Sequence, residues 1–215
     1  MKKLKIGNKI LSISFAILAF FVVSEIDFNP AKAMRTEQGN KTVTYFFGQD
    51  ENENKYTHQT IEGNLVIEKG VSVAECAFAS TIIKGDVTIK EGVHLNRWAF
   101  KSARIDGNVT LEANTEVGFQ TFVSSVIRGN ITIHNVYSHS PTFEMALVWG
   151  NVTLKQDVHH SRFSRPLFAY TIILGSVIVE EGAYISSRAF SCSEINHLID
   201  NRIDGKAFED IIIYH

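Results

Sequence analysis

Six short segments decide how this chain folds. They are Ile61-Glu-Gly-Asn-Leu-Val-Ile67, Ile83-Lys-Gly-Asp-Val-Thr-Ile89 and Ile105-Asp-Gly-Asn-Val-Thr-Leu111, then Ile127-Arg-Gly-Asn-Ile-Thr-Ile133, Val148-Trp-Gly-Asn-Val-Thr-Leu154 and Ile173-Leu-Gly-Ser-Val-Ile-Val179. Their glycines are spaced 22, 22, 22, 21 and 25 residues apart. Repetition at such a period is the mark of a solenoid. Within each copy apolar and polar residues alternate with period two, which is a half-buried strand and not a helix. Three inward columns follow. The first is Ile61, Ile83, Ile105, Ile127, Val148 and Ile173; the others begin at Leu65 and at Ile67. β-Branched residues fill most of these positions, as strand packing favours. The glycine falls on an inward position of the alternation, where it marks a close backbone approach or a bulge.

The outward positions test whether coils stack in register. Glu62, Lys84, Asp106 and Arg128 precede the first four glycines, and Glu68, Lys90, Glu112, His134, Lys155 and Glu180 follow the six at a distance of five. Sign alternates along the first row, and along the second allowing for His134. Parallel strands about 4.8 Å apart would bring equivalent residues together. Opposite charges then gain ~0.2–1 kcal/mol per pair, and like charges repel. Such exposed pairs control register more than they stabilise. Thr88, Thr110, Thr132 and Thr153 make a further outward row. The second half of each repeat is less regular, but Val71, Val93 and Val158 recur, as do Val73, Leu95, Val117 and Ile185. A small residue and a phenylalanine close most units, from Ala77-Phe78 to Ala189-Phe190, which predicts an aromatic core column.

The ends read as degenerate units. Val43-Thr44-Tyr45 mimics the strand consensus one period before Leu65, and Ile211 to Tyr214 offers a last strand after Ala207-Phe208. Capping units cover an otherwise open core and strand edge. Residues 1–33 read as a secretory signal: Lys2, Lys3, Lys5 and Lys9 precede the apolar run Ile10–Val23, and Ala31-Lys32-Ala33 supplies a cleavage site. The run is too short to span a bilayer comfortably, so no stable membrane span is expected after cleavage. The expected organisation is a signal-peptide helix over 1–33, an N-terminal cap over 34–60, a solenoid over 61–196 and a C-terminal cap over 197–215.

The chain has 215 residues, 45% hydrophobic and 20% charged, a composition that supports one sizeable core. Two cysteines exclude a disulfide-stapled miniprotein. Removing residues 1–33 takes away five lysines and two acidic residues, so the formal charge moves from −2 to −5. Nucleic acid is therefore not an expected partner.

The unit Val-x-Ile/Leu-x-x-x-Ala-Phe, followed by Ile/Val-Thr-Ile, resembles the BspA-like leucine-rich repeats of bacterial surface proteins. Gly92-Val-His-Leu-Asn-Arg-Trp-Ala-Phe100 carries the likeness best, which extends over about residues 61–196. Leucine is scarce, with isoleucine or valine at most strand positions. The resemblance implies a mainly β, single-domain, leucine-rich-repeat-type solenoid of about six repeats. It also implies a secreted or cell-surface location and adhesion to host proteins or other cells. No catalytic residue belongs to the repeat.

Candidate sites are few. Trp149 stands in a mostly charged outward row, and Trp98 precedes Ala99-Phe100 where other units carry Cys76, Gln120 or Arg188. Exposed tryptophans anchor interfaces; the alternative is packing against a neighbouring loop. With Tyr137, Trp149 marks units four and five as the expected recognition surface. His139 and His160, each ten residues after a glycine, would share a column with Val73 and Leu95. A shifted loop exposing both is expected rather than a metal site. Cys76 and Cys192 lie five coils apart, roughly 24 Å by strand spacing, so they are expected as buried free thiols and not as a bridge. Asn108-Val-Thr110, Asn130-Ile-Thr132 and Asn151-Val-Thr153 match a glycosylation acceptor, but they are the strand consensus and read as structural. No phosphate loop, nucleophile elbow or metalloprotease helix is present, and no cofactor is expected. The expected function is non-catalytic binding of an extracellular protein or glycan. The alternatives are a polysaccharide-degrading enzyme on a parallel β-helix and a structural envelope component.

Overall fold

The computed structural model describes residues 42–45, 56–138, 141–155, 166–183, 185, 188–202, 208 and 210–214. The expected signal-peptide helix lies outside them. Among the described residues every regular element is a strand, and all strand pairs are parallel. The chain coils about six times with the period its glycines announce.

Each regular coil carries three short strands. The first column holds β2 (Thr60–Ile61), β5 (Ile82–Ile83), β8 (Arg104–Ile105), β11 (Val126–Ile127) and β14 (Leu147–Val148). The second holds β1 (Thr42–Tyr45), β3 (Asn64–Ile67), β6 (Val87–Ile89), β9 (Val109–Leu111), β12 (Ile131–Ile133) and β15 (Val152–Leu154). The third holds β4 (Ser72–Val73), β7 (His94–Leu95), β10 (Thr115–Val117) and β13 (Val136–Ser138). β16 (Ile172–Val179) runs through the first corner without a break, so it joins the first two columns into one sheet. β17 (Ser193–Asp200) and β18 (Ile211–Ile213) extend that sheet. The less regular second half of each of the first four repeats thus contains a strand of its own, too short for its alternation to stand out.

Register follows the repeat. Ile83 aligns with Ile105, Val87 with Val109 and Thr88 with Thr110. All three inward columns are buried, and nearly every member is wholly inaccessible. Phe78, Phe100, Phe122, Phe143, Phe168 and Phe190 stack with centroids 4.9, 4.8, 4.8, 4.8 and 5.0 Å apart. That spacing equals the rise of the strands, so one ring per coil fills the core without a gap. Each buried ring contributes about 2–3 kcal/mol by leaving water. The outward charges pair between coils as the alternation requires: Lys84 with Glu62 at 2.8 Å, Arg128 with Asp106 at 3.4 Å, Lys90 with Glu112 at 2.9 Å and Lys155 with Glu180 at 3.4 Å.

The repeated glycine is not an inward residue. Gly85 and Gly107 are half-buried, and they form the corner between the first two columns. The chain turns there, so the glycine leaves the inward face although Ile83 and Val87 on either side of it are both buried. The expected close approach is real. The amide of Gly107 donates to the carbonyl of Gly85 at 3.1 Å. A side chain at Gly129 or Gly150 would likewise collide with the glycine one coil before.

Beside the glycines runs a side-chain ladder. Asn64 Oδ1 accepts from the Asp86 amide at 2.9 Å, Asp86 Oδ1 from Asn108 at 2.7 Å, and Asn108 Oδ1 from Asn130 at 2.8 Å. Asn130 and Asn151 continue it to the amides of Asn151 and Ser176, both at 2.8 Å. The corner amides face along the solenoid axis and need an acceptor, which a short amide or carboxylate side chain reaches. The sequon asparagines therefore do structural work, as their place in the consensus suggests.

At the N-terminal end, β1 pairs in register with β3, aligning Val43 with Leu65, and Tyr56 extends the ring stack at 5.2 Å from Phe78. At the other end, β18 pairs with β17. Phe208 meets Phe190 edge-on, at 5.3 Å and 89°, so the parallel stack stops there. Ala207 lies outside the described residues.

Candidate functional site

The corner between the third and first columns carries the first candidate. Ahead of each Ala-Phe or Thr-Phe pair the chain must reverse before the phenylalanine enters the core. Cys76, Trp98 and Gln120 make that reversal with φ of 60°, 61° and 49°. Left-handed backbone is uncommon for non-glycine residues and disfavours a large ring. Trp98 holds this conformation with its indole half-buried at the corner. Its Nε1 donates to Gln120 Oε1 at 3.0 Å, and the amide of Gln120 donates in turn to Glu144 Oε2. The Arg97 guanidinium lies 4.0 Å and the Lys101 ammonium 4.9 Å from the ring centroid, both within cation–π range. Arg97 also bonds Glu75 at 2.9 Å.

One coil further on, the Trp98 amide donates to the carbonyl of Phe119, and the Phe119 side chain is 37% exposed. Tyr137 sits on β13, outward and 44% exposed, in register with Glu116. Glu116 Oε2 lies 3.0 Å from Nδ1 of His94 on β7. The outer face of the third column and its adjoining corner thus carry Trp98, Phe119 and Tyr137 on successive coils, among paired charges. The sequence alone did not single out Phe119. Its signal was a phenylalanine in the position that holds Glu75 and Arg97 in the units before.

Trp149 belongs elsewhere. It is half-buried at the corner after β14, and its neighbour in the row is Leu174. The structure therefore does not place it on one surface with Trp98 and Tyr137. His139 and His160 lie outside the described residues, but the column position that the count of ten assigned to His139 is held by another residue. Ser138 is the residue in register with Val117, and it is buried against Thr142 Oγ1 at 2.8 Å. The fourth unit lacks one residue between Leu111/Ile133 and Thr115/Val136, so counting ten from its glycine overshoots by one.

The cysteines are also corrected. Cys76 is half-buried and Cys192 exposed, because both occupy outward turn positions with positive φ rather than core columns. Burial, and then Glu75, push the Cys76 thiol above its ordinary range. Among the described residues no group of three His, Cys, Asp or Glu side chains is placed to hold a metal ion, and no helix is long and apolar enough to cross a membrane.

These features define a parallel β-solenoid whose outer surface carries exposed aromatic side chains. Comparison of the chain with protein-family models, curated proteins and solved structures found no match.

Proposed function

We propose that this chain is a secreted or cell-surface repeat protein that binds an extracellular protein or glycan without transforming it. One observation carries the reading: Phe119 and Tyr137 are exposed on consecutive coils of one side, with the half-buried Trp98 on the coil before them, next to the His94–Glu116 and Arg97–Glu75 pairs. Flat aromatic surface bordered by hydrogen-bonding groups is what protein interfaces and sugar rings engage. The leader-like segment of residues 1–33 and the resemblance to BspA-like repeats support an extracellular setting for it.

The test is capture of partners from extracellular proteins and glycans, followed by affinity measurement on Trp98→Ala and Tyr137→Ala. Each change should weaken binding at least about tenfold if these side chains are anchors. Unchanged affinity in both variants would remove this surface. Turnover of a captured polysaccharide would replace the binding role with the enzyme alternative.

A further inference from the structure

The outer face of the first column changes character halfway along the solenoid. Elsewhere on it polar and charged residues are interspersed with single apolar ones: Ser80, Ile82 and Lys84, then Ser102, Arg104 and Asp106, then Ser124, Val126 and Arg128, and later Cys192, Glu194 and Asn196. Two consecutive coils depart from this. They present Met145, Leu147 and Trp149, then Tyr170, Ile172 and Leu174. Residues between them, such as Ala146, Val148 and Ile173, point into the core. Register aligns Leu147 with Ile172, so the six side chains form one block two coils wide. Met145, Tyr170 and Leu174 are 39%, 41% and 47% exposed. An apolar block two coils wide, where each coil beside it carries at most one apolar side chain on this face, marks an interaction surface.

The charges beside the block say what covers it. On its N-terminal side Asp106 is shared by Arg104 at 2.9 Å and Arg128 at 3.4 Å, leaving one net positive charge. On its C-terminal side stands Glu194, which accepts from the Tyr214 hydroxyl at 2.8 Å. All strands of the column are parallel. A two-fold axis along the strands would keep strand direction and reverse the order of coils. The block would then oppose its own image, and the arginine side of each copy would meet the Glu194 side of the other. Sheets stacked with aligned strands pack about 10 Å apart, which suits this face. A partner of uniform charge would be repelled at one end.

We propose that this face is a self-complementary interface through which two copies of the chain form a two-fold dimer. It is distinct from the Trp98–Tyr137 side, and the dimer leaves that side open to another partner.

Sedimentation of the purified full chain over a concentration series tests this. The wild type should dimerise reversibly. Leu174→Arg should weaken the dimer at least about tenfold. Arg128→Glu and Glu194→Arg should each weaken it, and the double variant Arg128→Glu/Glu194→Arg should recover it, because the exchanged charges again meet at the same end of the interface. Recovery also shows that the single variants did not act by unfolding the chain. A wild type that stays monomeric overturns the proposal. So does a dimer that withstands Leu174→Arg, or a double variant no tighter than the singles.

Discussion

The Gly107 amide donates to the carbonyl oxygen of Gly85 at 3.1 Å, and a Cβ built on Gly107 would lie 2.5 Å from both that oxygen and its carbon. The corner backbone of one coil therefore rests directly on that of the coil before. Gly107→Ala should cost at least about 2 kcal/mol, since backbone on both sides must shift to admit a methyl group. Gly92 is a control of a different kind. Its φ is +69° but open space surrounds its Cβ position, so Gly92→Ala should cost only about 1 kcal/mol of backbone strain. Denaturant midpoints of the two variants check the ranking; equal losses would mean that the stacked corner is not tight.

Much of this geometry could be read from the sequence, and the reasons are physical. Strand alternation is strict over Val87–Ile89 and its equivalents, so the inward columns and in-register charges emerge from counting alone. Corners obey no such alternation. Gly85 was assigned inward because period two was carried across a turn where it does not hold. The one-residue deficit of the fourth unit is visible as a spacing of 21, but the spacing does not say which corner lost the residue. Only the pairing of Val117 with Ser138 locates it. The apolar block was hidden for a related reason. Its members belong to three rows, and seeing them as one surface requires both coils to be aligned across the 25-residue unit.

The ring stack separates central from terminal contributions. Phe122 is fully buried between Phe100 and Phe143, each 4.8 Å away. Phe122→Ala should cost about 3–5 kcal/mol, the range for emptying a packed core site. Phe208 is half-buried and touches Phe190 by its edge, with the Arg202 guanidinium 4.5 Å from its ring. Its truncation to alanine should cost about 1–2 kcal/mol. Equilibrium unfolding of both variants decides; a larger loss at Phe208 would show that the cap, not the central stack, limits stability.

The two thiols should react at different rates. Cys192 is exposed, whereas Cys76 is half-buried, with burial and then the Glu75 carboxylate raising its pKa. Only the thiolate attacks an alkylating reagent. Iodoacetamide at mildly alkaline pH should therefore label Cys192 several-fold faster, read by peptide mass spectrometry. Glu75→Gln should speed Cys76 labelling modestly, since it removes the second cause but not the first. Equal rates in the wild type would contradict the placement of the two side chains.

The last coil contains an acid-sensitive tie. The Arg202 side chain is 4% exposed, and its Nη2 and Nε donate to the Asp200 carboxylate at 2.6 and 2.8 Å. Its Nη1 also donates to the Ile185 carbonyl at 3.3 Å. Hydrogen bonds from Arg202 hold the Asp200 carboxyl below its ordinary value, against the opposing effect of burial. A depressed carboxyl pKa stabilises the fold above the unfolded value of about 4, and that contribution is lost as pH falls through the lower folded value. Asp200→Asn should therefore lower stability at neutral pH by about 1–3 kcal/mol, because the buried guanidinium loses its charged partner. The loss should shrink toward zero at acid pH, where the wild-type carboxyl is itself protonated. Stability curves of wild type and variant that run parallel from neutral to acid pH would show that the Asp200–Arg202 pair does not hold the C-terminal coil in place.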